Sequence, residues 1–175
     1  MNKAIRYCLP LLLLGLISCK DKPQSNIIIV HPPVTARQQK PQAIGDAVRT
    51  RNINWVGSQF TVKVTTKCDT SLPLATDGSA KYYDNRVNIS VLRSDGTSFF
   101  NRTFTKADFK PYVDDKVYKD GALVGIVFDK AEGESLTFAV SVGNPDKTTD
   151  QFVPLELTVS HLGGVSIAKV ETEEE

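Results

Sequence analysis

Along most of this chain apolar side chains recur at every second position, a period that fits strands buried on one face and fits no long helix. Phe60, Val62 and Val64 alternate with Thr61, Lys63 and Thr65, and Cys68 continues the same parity, which reads as a half-buried small hydrophobe. Val87, Ile89 and Val91 alternate with Asn88 and Ser90, and Arg93-Ser94-Asp95-Gly96 then supplies a turn. Gly96 there can take the positive φ that such hairpins need. The return strand is Phe99 to Thr105, after which Thr105-Lys106-Ala107-Asp108 has the form of a helix start, with a threonine cap and an early acid. Pro111 limits that helix to a turn or two. Leu123 to Phe128 is nearly continuous in apolar character, as expected of a central strand. Leu136, Phe138, Val140 and Val142 alternate again, as do Val153, Leu155, Leu157 and Val159, and Gly163-Gly164 turns into a last strand at Val165 to Val170. These features predict an all-β domain of about seven strands with one short helical turn, as an antiparallel β-sandwich or a partly open barrel. Alternation alone does not decide closure, and the sandwich is the preferred expectation.

The N-terminus carries a different signal. Lys3 and Arg6 precede the apolar stretch from Cys8 to Ile17, which is shorter than the roughly 20 residues a membrane-spanning helix takes. A basic start, a short apolar middle and small residues before a break describe an export leader. Leu16-Ile17-Ser18-Cys19 resembles the bacterial lipobox, which implies cleavage before Cys19 and lipidation of its sulfur and new amino terminus. The expected organisation is a lipoprotein signal peptide over 1–18, a tether over 19–50 and an antiparallel β domain over 51–175. Pro23, Pro32, Pro33 and Pro41, with Gln24, Gln38, Gln39 and Gln42, favour extended, unpacked backbone in the tether. Ile27-Ile28-Ile29-Val30 is the exception there, a β-branched run suited either to an added edge strand or to a patch against membrane or partner. The expected address is the cell envelope, lipid-anchored at the outer membrane, since Lys20 after the anchor is not a retention aspartate.

Losing residues 1–18 removes two bases and no acid, so a formal charge of +1 becomes −1. A nearly neutral chain offers no electrostatic footprint for nucleic acid. The two histidines, His31 and His161, stand far apart in sequence, and Asp114-Asp115 with Asp120-Gly121 lacks the alternating acids of a calcium loop, so neither metal nor other cofactor is expected. Cys68 with His161 is the one cysteine–histidine pairing on offer, and neither lies in a nucleophile motif. Asp84 and Asp108 are loop acids of the kind a glycosidase pairs across a cleft, but nothing in their context singles them out. Catalysis is therefore not expected. The constellation that draws attention is aromatic: Trp55, Tyr82, Tyr83, Phe109 and Tyr112 fall near predicted strand ends, mixed with Asp84, Asn85 and Asp108. Flat rings bordered by hydrogen-bonding groups suit sugar or protein contacts. Trp55, Tyr82, Tyr83, Asp84, Asn85 and Tyr112 are accordingly the candidate ligand-binding residues, against the competing reading that such rings complete the core.

Lys81-Tyr82-Tyr83-Asp84-Asn85, Asp95-Gly96, Phe99-Phe100 and the run Thr103 to Phe109 carry a further resemblance, continued by Gly125 to Asp129 and Val142 to Asp146. In these segments the chain resembles small Bacteroidetes envelope lipoproteins grouped as a domain of unknown function. The resemblance implies an all-β fold and an envelope location and brings no assigned site. The resulting expectation is a non-enzymatic, lipid-anchored module that binds a protein or a glycan. An accessory hydrolase acting on polysaccharide and a barrel holding a small apolar ligand are the alternatives.

Overall fold

The computed structural model describes residues 40–170. The predicted leader, Cys19 and Ile27–Val30 lie outside the described residues. In chain order the strands begin with β1 (Gln42–Ala43), β2 (Ala47–Trp55), β3 (Ser58–Cys68), β4 (Ala75–Asp77) and β5 (Ala80–Tyr83). β6 (Asn85–Arg93) and β7 (Ser98–Phe104) follow, then a 3-10 helix η1 (Lys106–Tyr112) and a short helix α1 (Asp115–Asp120). The chain closes with β8 (Ala122–Glu132), β9 (Ser135–Gly143), β10 (Phe152–Ser160) and β11 (Val165–Lys169).

Two four-stranded antiparallel sheets, ordered β2-β3-β6-β7 and β11-β10-β9-β8, form the body of the fold. The alternating apolar positions explain why they stack. Val62, Val64, Val87, Ile89, Val91 and Phe104 of the first sheet and Leu123, Ile126, Leu136, Phe138, Val140, Leu155 and Leu157 of the second enter one core. Each alternating strand has one apolar face, and facing two such sheets removes both faces from water together. The edge strands of one sheet are not hydrogen-bonded to those of the other, so the fold is an open sandwich and not a closed barrel.

All seven predicted strands are present, as β3 and β6 to β11, and four others join them. β1, β4 and β5 make a small third sheet in the order β1-β5-β4, with β1 parallel to β5. β1 and β2 lie wholly or partly before residue 51, so the β domain begins inside the stretch expected to be tether. The expected helical turn is η1, but α1 follows it directly. Asp114, one of the acids weighed above against a calcium loop, caps α1 by accepting from the Val117 N–H at 2.8 Å.

β8 also departs from expectation, lying at the edge of its sheet and not at its centre. Its apolar run has a local cause. The register against β9 slips between Leu123 and Gly125, so Leu123 and Ile126, three apart, both face the core.

Candidate functional site

Where β5 runs into β6, Asp84 and Asn85 are almost fully enclosed. Asp84 Oδ1 accepts from the backbone N–H of Asn85 at 2.7 Å and of Leu123 at 2.8 Å. Its other oxygen lies 3.5 Å from Lys106 Nζ, and that ammonium, itself buried, also donates to the Gly121 carbonyl and sits 5.7 Å from the centre of the Tyr118 ring. Asn85 Nδ2 donates to the Leu123 carbonyl at 3.0 Å. Burial pushes the Asp84 carboxyl above its ordinary value, with the Lys106 charge and the two amides opposing that shift. This network ties the small sheet, the start of η1 and the head of β8 together.

Beside that latch opens a cleft of about 700 Å³. Thr76, Asp77 and Gly78 of the β4–β5 hairpin form one wall, and Asp114, Lys116, Val117 and Asp120, on or beside α1, form another. The third wall comes from Asn144, Gln151, Phe152 and Val153, which flank the β9–β10 loop. Gly121 and Gly143 lie between these walls where backbones meet. A Cβ on Gly121 would stand 2.6 Å from the Val117 carbonyl oxygen and 2.8 Å from that of Gly143. The walls are positioned by short-range bonds: Asn144 Nδ2 donates to Asp77 Oδ1 at 3.2 Å, and the Asn144 N–H donates to the Gln151 carbonyl at 2.8 Å. Within the loop the Thr148 N–H and hydroxyl both donate to Asp146, holding its carboxyl below the usual range. The cleft therefore combines carboxylates, side-chain amides and one ammonium with the Phe152 side chain, which is 44% exposed.

The residues singled out from sequence do not assemble into one surface. Trp55 is 3% exposed and packs edge-on against Phe60 and Phe99 inside the core, which removes it as a ring for ligand contact. It also lies at the wrong end of the sheet: Phe60, next to it, pairs with Arg93, whereas Asn85 is at the other end of β6, roughly 26 Å away for nine residues. Asp84 and Asn85 are spent on the latch, and Phe109 is in the core. Tyr82 is half-buried against Ile44, Ala75 and Ala122, and burial with the nearby Asp146 and Asp77 charges raises its hydroxyl pKa. Tyr83 is half-buried in β5, and Tyr112 packs on the main core.

Cys68 and His161 are not brought together either. Cys68 pairs with Asn85, beside the head of β8, while His161 follows Ser160 near the far end of that strand. Asp108 accepts from the Thr105 N–H at 2.9 Å and pairs with Arg102 at 3.2 Å, so it serves the start of η1. Asp77, Asn144, Gln151 and Phe152 were not anticipated. Asp77-Gly78 is a hairpin signal that was open to reading in the sequence, and Asn144-Pro145-Asp146 between two alternating strands marks a structured loop.

A family model for DUF4738, a domain of unknown function, matches residues 29–167. The chain belongs to the DUF4738 family. The match takes in both large sheets except the last two residues of β11, the Asp84–Lys106 latch and every residue that lines the cleft. No curated protein gives a significant match.

Proposed function

We propose that this DUF4738 chain is a non-enzymatic lipoprotein of the bacterial envelope, held at the outer membrane through Cys19, whose β domain binds a glycan or a peptide of a neighbouring protein in the cleft. The observation that carries the binding role is the cleft itself: an exposed phenyl ring standing beside amide and carboxylate side chains, a combination suited to the mixed apolar and hydroxyl faces of a sugar. The anchor rests on Leu16-Ile17-Ser18-Cys19 after a short apolar run, and the Bacteroidetes affiliation rests on the sequence resemblance. The carboxyl whose pKa is raised, Asp84, is enclosed and paired with Lys106 outside the cleft, which favours binding over acid catalysis there.

Protease shaving of intact cells, with a lysed-cell control and a periplasmic marker, tests the address. Degradation of the domain in intact cells with the marker protected is the outcome expected of a surface module, and protection until lysis moves the search to periplasmic partners. Cys19→Ala is expected to abolish incorporation of labelled fatty acid, and continued labelling overturns the anchor. The binding role is tested by screening the full chain against an oligosaccharide panel and titrating any hit. Phe152→Ala is expected to weaken that hit by about tenfold, the loss of one stacked ring. Unchanged affinity removes the cleft as the site.

A further inference from the structure

Away from the cleft, the two large sheets leave one seam open. β2 ends the first sheet and β8 ends the second, and between them lies a groove of about 260 Å³ lined by Arg49, Thr50, Arg51, Val62, Val64, Val127 and Phe128. Cross-strand partners share a face of a sheet. Arg49 pairs with Val64 and Arg51 with Val62, and both valines point into the core, so the two arginines stand on the core face of an edge strand. Among the described residues neither guanidinium meets a carboxylate within ion-pair distance or makes a side-chain hydrogen bond. Farther along the same face come Ile53 and then the buried Trp55. The outer edge of β2 has no strand beside it among the described residues, so alternate residues over nine positions direct N–H and C=O outward.

We propose that this edge is an interaction surface that accepts an extended acidic segment of a partner protein as an added strand. Two carboxylates at alternate positions lie beside Arg49 and Arg51, and an apolar side chain at the same spacing lies beside Ile53. The backbone supplies the attraction common to any strand, and the arginines supply the choice. They also select against self-pairing. A two-fold pairing of β2 with β2 of a second copy, centred on Thr50, sets Arg49 beside Arg51, and like charges directly opposite are unfavourable. The inward-facing charges that guard this edge against its own kind thus leave it open to an acidic strand.

The test titrates the full chain with a ten-residue peptide carrying two glutamates and a valine at alternate positions, with threonine between. Its lysine counterpart and two versions N-methylated on odd or even backbone amides serve as comparisons. The acidic peptide is expected to bind and to slow amide exchange across Ala47–Trp55, the lysine peptide to fail, and one of the two N-methylated versions to fail. Arg49→Glu with Arg51→Glu is expected to weaken the acidic peptide by about tenfold or more and to admit the lysine peptide. Arg49→Gln with Arg51→Gln, which introduces no new charge, is expected to weaken the first without admitting the second. No binding, binding that both charge variants leave unchanged, or binding indifferent to both N-methylations overturns the proposal. Polygalacturonate binding as tightly as the peptide, without protection of Ala47–Trp55, overturns it too and leaves only a polyanion patch.

Discussion

Lys106 and Asp84 show how a pair of charges can be enclosed without being a catalytic pair. The carboxylate already accepts two backbone amides, and the ammonium already donates to a carbonyl, so each is committed before the 3.5 Å ion pair between them is counted. Removing one partner leaves the other buried and uncompensated, a loss of about 3 kcal/mol or more. Asp84→Asn is therefore expected to lower the urea-unfolding free energy by about that amount, and the double variant with Lys106→Met to recover a large part of it. If the two single losses simply add, the pair is not coupled. The pH dependence has a definite sign. Because burial raises the Asp84 pKa in the folded protein, the folded state takes up this proton at higher pH than the unfolded chain. This group's contribution to stability therefore falls as pH rises from its unfolded pKa through its folded one. The gap between wild type and Asp84→Asn is expected to widen on acidification through that window, and a gap that narrows contradicts the assignment. At the opposite end of the molecule, Val56 is a second residue-scale test. It sits at φ 48° with Gly57 at φ 72°, in a two-residue turn joining Trp55 to Ser58. Such a turn favours Asn-Gly, and a β-branched residue is strained there. Val56 is exposed, so little packing is at stake. Val56→Asn is expected to stabilise by about 1 kcal/mol, read as a higher melting temperature.

At the scale of elements, the β9–β10 connection is held by contact too close for any side chain. A Cβ on Gly143 would fall onto the Gln151 carbonyl and Phe152 Cα and stand 2.8 Å from Phe152 Cβ. Gly143→Ala is expected to cost about 2–3 kcal/mol by forcing these backbones apart, and urea unfolding measures it. The same substitution moves a cleft wall, so ligand affinity falls with stability; a variant as stable as wild type rejects the close approach. Which elements could be read beforehand follows from how they are buried. β3, β6, β9 and β10 each have one apolar face, and period two marks them at once. β2 is as regular in backbone but carries Arg49 and Arg51 on the face that should be apolar, so its alternation is broken where the sandwich opens. β1, β4 and β5 have two to four residues, too few to show a period. Their sheet depends on contacts far away in sequence. The cleft was illegible for the same reason: its walls come from three segments, and only the fold brings Asp77 to Asn144. The aromatics misled because a ring at a predicted strand end looks the same in sequence whether it closes the core, as Trp55 does, or faces water.

Among the described residues one large core stands beside one very small one. Eighteen buried residues from both large sheets and η1 make the first, whereas Ile44, Ala75 and Ala122, with Tyr82 against them, make the second. Local stability follows local burial, so the β1-β5-β4 sheet has little apolar area of its own to resist opening. What holds it is the latch: Asp84 and Asn85 follow β5 immediately and bond to Leu123 at the head of β8, inside the large core. Native-state hydrogen exchange is expected to show amides of Ala75–Asp77 and Ala80–Tyr83 opening at a lower free energy than those of β6 and β9. Asp84→Asn should lower the small sheet's opening energy further than it lowers that of β9. Equal protection of all sheets would mean that the small sheet unfolds only with the sandwich. The consequence for binding is direct, because Thr76, Asp77 and Gly78 form a cleft wall and belong to this least-buried sheet. A ligand bridging that wall to Asn144 and Phe152 binds only when the sheet is closed, so by linkage it stabilises the closed form. Saturating ligand is then expected to raise protection at Ala75–Asp77 selectively. Protection that rises only along β2 would assign the same ligand to the open seam.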